Sequence, residues 1–525
     1  MSEAAAPARL TPRQWAIILT AAIAAMLEVI DVSITNVALT QIQASLGATL
    51  AEVGWVVTGY AMASVIMIPL SEWLSELFGQ RTYFLACLVG FTASSVLCGL
   101  APNLAVLVLA RILQGLLGGG LLPKAQAIMF QAVPKSLQGL AQGVFGIVVL
   151  AGPALGPTLG GYLTDGLGWR WIFFVNLPFG ILTVLMALAC LPPDTASTWR
   201  GDHGEALSRS PRRIDWIGIL LLAVGLGSLQ LVLEQGHQYD WFENQGLRQL
   251  ALLAAIALPA FVWWELRRRD PAVDLRVLRH RSLAAGSVFS LVLGMGLYGT
   301  IFVVPIFAQT VLQYTATQTG LLMLPGALAS ALTMAVLGKN SKRFDPRLMI
   351  VVGAVLMVGT MAVLSGIGPD TGEDSLYWPL IFRGVTTVMM FLPLSLATLG
   401  PLPREDVGAG SGFYNLTRQL GGTFGIAVLT VVLDHQRAVH RAQLVEHLAT
   451  TNPLLQERLQ LLSGLGRGEG GEVALQILSL QVDRQAALLA YGDVFRVVGL
   501  VFLLAIPLVL LLGKPGEPEF SGAPH

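Results

Sequence analysis

Of the 525 residues, 54% are apolar and only 12% are charged, whereas a water-soluble globular chain carries about 25% charged residues. A soluble domain is therefore excluded, and apolar residues in this number suffice for about fourteen membrane crossings of roughly 20 residues each. The 32 basic and 32 acidic residues cancel, so no global field points to nucleic acid. Cys87, Cys98 and Cys190 all lie in apolar stretches and offer neither a disulfide framework nor a zinc cluster.

Apolar windows predict seven spans over 14–38, 50–70, 82–101, 104–124, 139–162, 170–191 and 214–234. Seven more follow over 247–266, 282–304, 318–338, 348–368, 376–399, 412–433 and 493–513. The first window is too long for the core of a signal peptide and contains Glu28 and Asp31, so it is expected to stay as a helix. With the N-terminus in the cytoplasm, and with Lys124, Arg170 and Arg248 at span ends counted with the adjoining segments, inside segments hold 21 Lys plus Arg against 7 outside, five of those seven in the long outside segment 434–492. That asymmetry places both termini in the cytoplasm. The strongest anchor is the arginine-rich stretch Arg267 to Arg281 between the eighth and ninth spans.

Glu28 and Asp31 are three apart on one helix and share a face. Each costs about 2.5–3.5 kcal/mol if charged at mid-membrane. Asp31 lies about 25 Å along a core of roughly 30 Å. Arg111, on a helix running the other way, lies about 10 Å below the same outer surface. The matching depths allow an Asp31 to Arg111 pair, structural or functional. Arginine does not deprotonate, so in a functional pair Asp31 exchanges the proton and Arg111 tunes it. Glu28 is then a second protonation site or an attraction for cationic substrates. Arg383 and Arg418, in the twelfth and thirteenth spans, face either a wet cavity or a partner acid. Tyr298, Phe302, Phe307, Met389, Met390 and Phe391 either line a hydrophobic cavity or simply pack against lipid and protein.

Segment 434–492 reads as a helix to about residue 450, a break at Asn452-Pro453, a short helix, a glycine-rich turn at 464–471 and a helix into the last span. His435, His440 and His447 within it lack metal-site spacing and read as solvated. The sequence contains no Walker A loop, nucleophile elbow or HExxH, which argues against an ATP-driven pump and a hydrolase.

An internal repeat is also visible. Gly139, Gly143, Gly152 and Gly156 recur as Gly408, Gly412, Gly421 and Gly425, and Pro134-Lys135 as Pro403-Arg404. The fifth and thirteenth spans are therefore equivalents in two six-span halves, with an extra pair between them. The expected fold is an all-α polytopic membrane protein. Residues 1–191 form the first half, 192–281 the extra pair with its linkers, 282–513 the second half with 434–492 inside it, and 514–525 a cytoplasmic tail.

These residues resemble the fourteen-span drug:proton antiporters of the major facilitator superfamily, the EmrB/QacA type, over nearly the whole chain. Gly143, Gly152, Gly156, Pro157, Gly160 and Gly161 fit the family's antiporter motif, followed by the similar stretch Trp169 to Pro178. Arg111-Ile112-Leu113-Gln114-Gly115 looks like its motif B, and Asp31 to Leu39 like its acidic first-span motif. The gating turn after the second span is degenerate, with Glu76, Gly79 and Arg81 the surviving features; a Glu76 to Arg81 contact would replace the usual charge relay.

The resemblance implies alternating-access export of hydrophobic, amphipathic or cationic toxic compounds, driven by the proton gradient with no cofactor and no enzymatic step. Asp31, Glu28 and Arg111 would couple protons, the glycine motif would act as hinge and seal between the halves, and Gln114, Arg383, Arg418, Met389 and Phe391 would line the pathway. It places the chain in the bacterial inner membrane, with segment 434–492 docking a periplasmic adaptor and an outer-membrane channel. A dedicated exporter of one metabolite, such as a siderophore or fatty acid, is the first alternative. A non-transporting ligand sensor is the second. Gly156 is expected to tolerate a leucine less well than Gly425, which lacks the following proline.

Overall fold

A computed structural model of the chain describes residues 10–194, 214–366, 368, 373–446, 448, 453–463 and 470–512. Its first half comprises α1 (Pro12–Leu46), α2 (Leu50–Phe78), α3 (Gln80–Gly99), α4 (Leu104–Gly118), α5 (Leu121–Ala132), α6 (Gln138–Leu167), α7 (Trp171–Phe174) and α8 (Asn176–Cys190). An inserted pair follows, α9 (Trp216–Gln235) and α10 (Gln245–Arg267). The second half has α11 (Arg281–Thr310), α12 (Ala316–Asn340), α13 (Pro346–Leu364), α14 (Glu373–Leu399), α15 (Val407–Glu446), α16 (Pro453–Ser463) and α17 (Gly470–Ala505).

Among the described residues, fourteen helical segments are long and apolar enough to cross a membrane, α4 with α5 and α7 with α8 each counting as one. The chain is a multi-pass membrane protein. The face bearing the N-terminal end of α1 is called the near face here, the opposite one the far face. Several helix starts are written in the sequence: Thr11 with Gln14, Thr49 with Glu52 and Thr315 with Gln318 each form a reciprocal capping box, which satisfies donors that a helix end leaves unpaired.

The glycine repeat explains how the halves meet. On α6, Gly143 packs backbone to backbone on Gly338 of α12, where an added Cβ would lie 3.1 Å from the Gly338 Cα. On α15, Gly408 lies against Glu72 of α2, and a Cβ on Gly412 would lie 3.4 Å from Ile68 O. The first glycines of each copy thus face the opposite half. The later ones face the first helix of their own half. Gly152 and Gly156 pack on Val29 and Ser33 of α1, while Gly421 and Gly425 pack on Leu291 and Met295 of α11. Close backbone approach through glycine is how helices gain contact without a hydrophobic drive between them. The two glycine sets are thereby placed in the same roles, as the repeat requires.

The inserted pair lies beside the junction of the halves. Gln235 Nε2 donates to Thr58 Oγ1 of α2 at 2.9 Å, and Gln230 Nε2 donates to Thr423 Oγ1 of α15 at 3.2 Å. So α9 bridges the two halves toward the far face.

Segment 434–492 is less a loop than a continuation of its flanking helices. With 40 residues, α15 is about 60 Å long, twice a bilayer core. Its projecting end packs along α17, held by His440 Nε2 to Asp493 Oδ2 at 2.7 Å and by Arg441 Nε to Asp483 Oδ1 at 2.7 Å. His440 is therefore a paired residue and not a solvated one. Helix α16 starts at Pro453, while Asn452, the other half of the expected break, lies outside the described residues. His447 and most of the glycine-rich turn lie outside the described residues.

Candidate functional site

Asp31 and Arg111 meet in the first half, fully buried. Arg111 Nη1 donates to Asp31 Oδ2 at 2.5 Å and to Gln114 Oε1 at 2.8 Å. The other carboxylate oxygen, Oδ1, accepts from Gln114 Nε2 at 3.0 Å and from Asn176 Nδ2 at 2.8 Å. Asn176 also donates to Ser95 Oγ at 3.1 Å, and Ser95 donates to Phe173 O at 2.8 Å. Four helices, α1, α3, α4 and α8, thus converge on one carboxylate. Neutral donors fill its remaining lone pairs, which a buried ion pair needs if its Coulomb energy is to offset desolvation.

Arg111 has partners besides Asp31. Its Nε donates to Val56 O at 3.0 Å, and its guanidinium lies 4.2 Å from the Tyr60 ring centre. A carbonyl and a π face stabilise a cation without a counter-charge, so the arginine has a resting place if Asp31 becomes neutral. Arg111 thus has two sets of contacts, one with Asp31 and Gln114 and the other with Val56 O and the Tyr60 ring.

The antiporter-motif glycines support this carboxylate from behind. A Cβ on Gly152 would lie 2.8 Å from Val29 Cγ1, one on Gly160 would lie 3.0 Å from Ile34 Cγ1, and Gly156 abuts Ser33. All three touch α1 within three residues of Asp31. Gly143 faces the opposite half, whereas α6 turns Gly152, Gly156 and Gly160 toward α1. Gly161 is buried on the same helix, and the Pro157 side chain lies outside the described residues.

Glu28 sits apart from the Asp31 network. The fourth span breaks between α4 and α5 at Gly119 and Gly120, and Glu28 Oε2 accepts from the freed Leu122 N–H at 2.9 Å. A carboxylate at a helix N-terminus is favourably placed for both its hydrogen bond and its charge.

Helix α5 then carries the contact to the second half. Ser411 Oγ donates to Pro123 O at 2.8 Å, Asn415 Nδ2 donates to Gln126 Oε1 at 2.7 Å, and Gln126 Nε2 donates to Ser395 Oγ at 3.1 Å. Gln126 and Ser395 are themselves 269 apart, the repeat spacing, and meet at the junction of the halves. Arg418 Nη2 donates to Asn415 Oδ1 at 2.6 Å and stacks over Phe391 at 5.4 Å. The arginine is buried with no carboxylate within ion-pair distance among the described residues.

The remaining expected residues are dispersed. Arg383 is buried on α14 with Nη1 unpartnered among the described residues. Met389 is half-buried and Phe391 lies under Arg418, whereas Phe307 packs on Tyr491 at 5.2 Å and Phe302 is 38% exposed. Their helices turn them to different neighbours.

At the gating turn Gly79 takes φ +96, a left-handed conformation that favours glycine. Beside it, Arg81 Nη2 donates to Leu188 O at 2.7 Å, while Asp194 accepts from the Arg81 and Thr82 backbone N–H at 2.9 and 2.8 Å. A second buried ion pair, Lys124 Nζ to Glu72 Oε2 at 2.5 Å, joins α5 to α2 nearby. Lys124→Met strands that carboxylate. With Glu72 18% exposed, the loss should fall toward the lower end of the about 3–5 kcal/mol typical of a broken buried pair. The expected result is a lower thermal midpoint, largely restored by adding Glu72→Leu; an unchanged midpoint in the single variant would refute it.

Sequence reasoning did not assign roles to Asn176, Ser95, Lys124, Glu72 or Gln126. Asn176 alone carried a signal, since it lies in the Trp169 to Pro178 stretch.

A family model described as Major Facilitator Superfamily matches residues 21–426. The chain is 31% identical over 507 residues to the multidrug export protein EmrB of Escherichia coli K12, covering 96% of each chain. It is also 31% identical over 499 residues to the fatty acid resistance protein FarB of Neisseria gonorrhoeae, covering 95% of this chain and 96% of that one. Among solved structures, a double-tryptophan mutant of XylE superposes with a TM-score of 0.63 at 13% identity, over 95% of this chain and 96% of that one. This last likeness concerns the fold alone. On the family match and the near full-length relatives, the chain belongs to the major facilitator superfamily and to its EmrB-type branch.

Proposed function

We propose that the chain is a proton-coupled multidrug exporter that moves hydrophobic or amphipathic toxic compounds out across the bacterial inner membrane by alternating access. The near face is cytoplasmic in this reading, the proton gradient is the only energy source, and no cofactor takes part. The observation that carries it is the fully buried Asp31 to Arg111 pair, whose carboxylate is the one that gains and loses the proton. Glu28, as cap of α5, ties proton occupancy to the helix that bonds the second half through Gln126. The names of the relatives support multidrug compounds over a single metabolite as substrate.

The test uses everted vesicles with an established proton gradient and an acridine pH dye. Adding a hydrophobic drug should restore fluorescence as protons leave in exchange. Drug binding without recovery, across a panel of compounds, would instead indicate a sensor.

The projecting hairpin of α15, α16 and α17 is proposed to dock a periplasmic adaptor that leads to an outer-membrane channel. Its length beyond the bilayer supports this reading. Photocrosslinking from Gln443 or Gln456, both exposed, should capture that adaptor in whole cells. If trimming 436–485 left resistance and assembly intact, no docking role would remain.

A further inference from the structure

Among the described residues the buried acids are Glu28, Asp31, Asp215 and Glu265, and the buried bases are Arg111, Lys124, Arg383 and Arg418. Their distribution is uneven. In the first half Arg111 pairs with Asp31 and Lys124 with Glu72, while Asp215 and Glu265 belong to the inserted pair. The second half has the other two bases and, among the described residues, no buried acid. Neither arginine has an ion-pair partner there. An unpaired guanidinium deep in a membrane protein is costly, and it is kept where it faces a cavity or meets an anion.

Arg418 is the base that the fold carries to the junction of the halves. Residues 411, 415 and 418 of α15 share one face, and Ser411 and Asn415 use it to bond Pro123 O and Gln126 of α5. Arg418 therefore stands on the face that meets the first half, one turn beyond the last of those bonds. It lies eleven residues past Val407 at the start of α15, about 16 Å along the helix, which is mid-depth in a core of roughly 30 Å. Its nitrogens are unequally used. Nη2 donates to Asn415 Oδ1 at 2.6 Å, Nε is enclosed without a partner, and Nη1 has no partner among the described residues but is not enclosed. The two N–H bonds of Nη1 are thus the donors that a ligand between the halves can reach. The charge of Arg418 is felt at Glu28 across the junction, yet that carboxylate is beyond ion-pair distance and already caps α5.

We propose that Arg418 binds the acidic group of the transported compound, so that organic anions, a carboxylate or sulfonate on an apolar body, are a substrate class of this chain. The proposal rests on the exporter reading above and adds a head-group chemistry to it. A guanidinium suits a carboxylate in geometry as well as in charge. Mid-depth excludes the headgroup of a bilayer lipid, which leaves a transported anion or an inorganic one.

The test measures equilibrium binding of two probes that share a ring system, anthracene-9-carboxylate and (anthracen-9-ylmethyl)trimethylammonium, to the full-length chain in neutral-lipid nanodiscs, with empty nanodiscs subtracted. The wild-type chain should bind the carboxylate. Arg418→Gln should weaken that binding about tenfold or more, the loss expected of one charged hydrogen bond, and should leave the ammonium probe unaffected or more tightly bound. Arg418→Lys keeps the charge without the fork and should fall between the two; if the glutamine variant does not fold, a selective loss of the carboxylate by the lysine variant decides the matter. Unchanged carboxylate binding in the variants, or equal losses for both probes, would overturn the assignment. So would a thermal midpoint raised by chloride in the wild type but not in Arg418→Gln, with no carboxylate binding, which would give the site to an inorganic ion. Arg418-dependent carboxylate binding without proton exchange for either probe in everted vesicles would count against the exporter reading and leave the anion site standing.

Discussion

Asp31→Asn should abolish drug-driven proton release while leaving drug binding measurable. Asparagine keeps the size of the side chain and an acceptor for Arg111, but it cannot carry the titrating proton. The variant holds the site in a permanently neutral form, and Arg111 is then stabilised by Val56 O and the Tyr60 ring. Removing the arginine instead strands a buried carboxylate at a cost of about 3–5 kcal/mol, so Arg111→Ala should reduce the yield of folded protein before transport can be read. Arg111→Lys is the informative variant on that side. A compact ammonium cannot reproduce a planar fork that serves Asp31, Gln114 and Val56 together. Coupled transport should survive with its pH optimum displaced, and an unaltered pH profile would show that Arg111 does not tune the acid.

Gly425→Leu should damage the protein as Gly156→Leu does, whereas the sequence leads one to expect greater tolerance at 425. An added Cβ at 425 would lie 2.7 Å from the Met295 Cα and 2.8 Å from its carbonyl oxygen, all backbone of α11. At 156 it would meet Ser33 Oγ and lie 2.5 Å from Ser33 Cβ, which side-chain rotation does not move, with the Ile34 N 3.2 Å away. At both sites a neighbouring helix must therefore shift as a body, and overpacking a tight contact costs about 1–3 kcal/mol or more. Gly156→Leu is expected to lower transport severalfold, because the displaced α1 carries Asp31. Gly425→Leu is expected to lower both expression and transport. Quantifying membrane-inserted protein beside drug efflux separates the two, and full tolerance at 425 would contradict the packing described.

What the sequence disclosed depended on the range of the physical signal. Span count followed from hydropathy, which is local, and the two-half architecture followed from glycines at a constant spacing. The Asp31 to Arg111 pair was legible because helix rise converts residue number into depth, and two costly charges at one depth must either pair or perform work. The break of the fourth span was not legible, since apolar residues continue through Gly118 to Gly120 and only the tertiary position of Glu28 supplies the missing cap. The bonds of Gln126 to Ser395 and Asn415 were equally hidden, because each partner lies hundreds of residues away and polar side chains in a span do not declare a direction. The neighbours of the aromatic residues were hidden for a related reason. Composition placed Phe302, Phe307 and Phe391 in spans, but the face each one occupies is set by helix rotation.

Proton release on substrate addition tests the central claim most directly. Purified protein in weakly buffered detergent solution, at a pH where drug binds, is titrated with a hydrophobic drug while a soluble pH indicator is followed. The wild-type chain should release protons in proportion to drug bound, and the Asp31→Asn chain should bind drug and release none. Equal release from both would remove Asp31 from the coupling step.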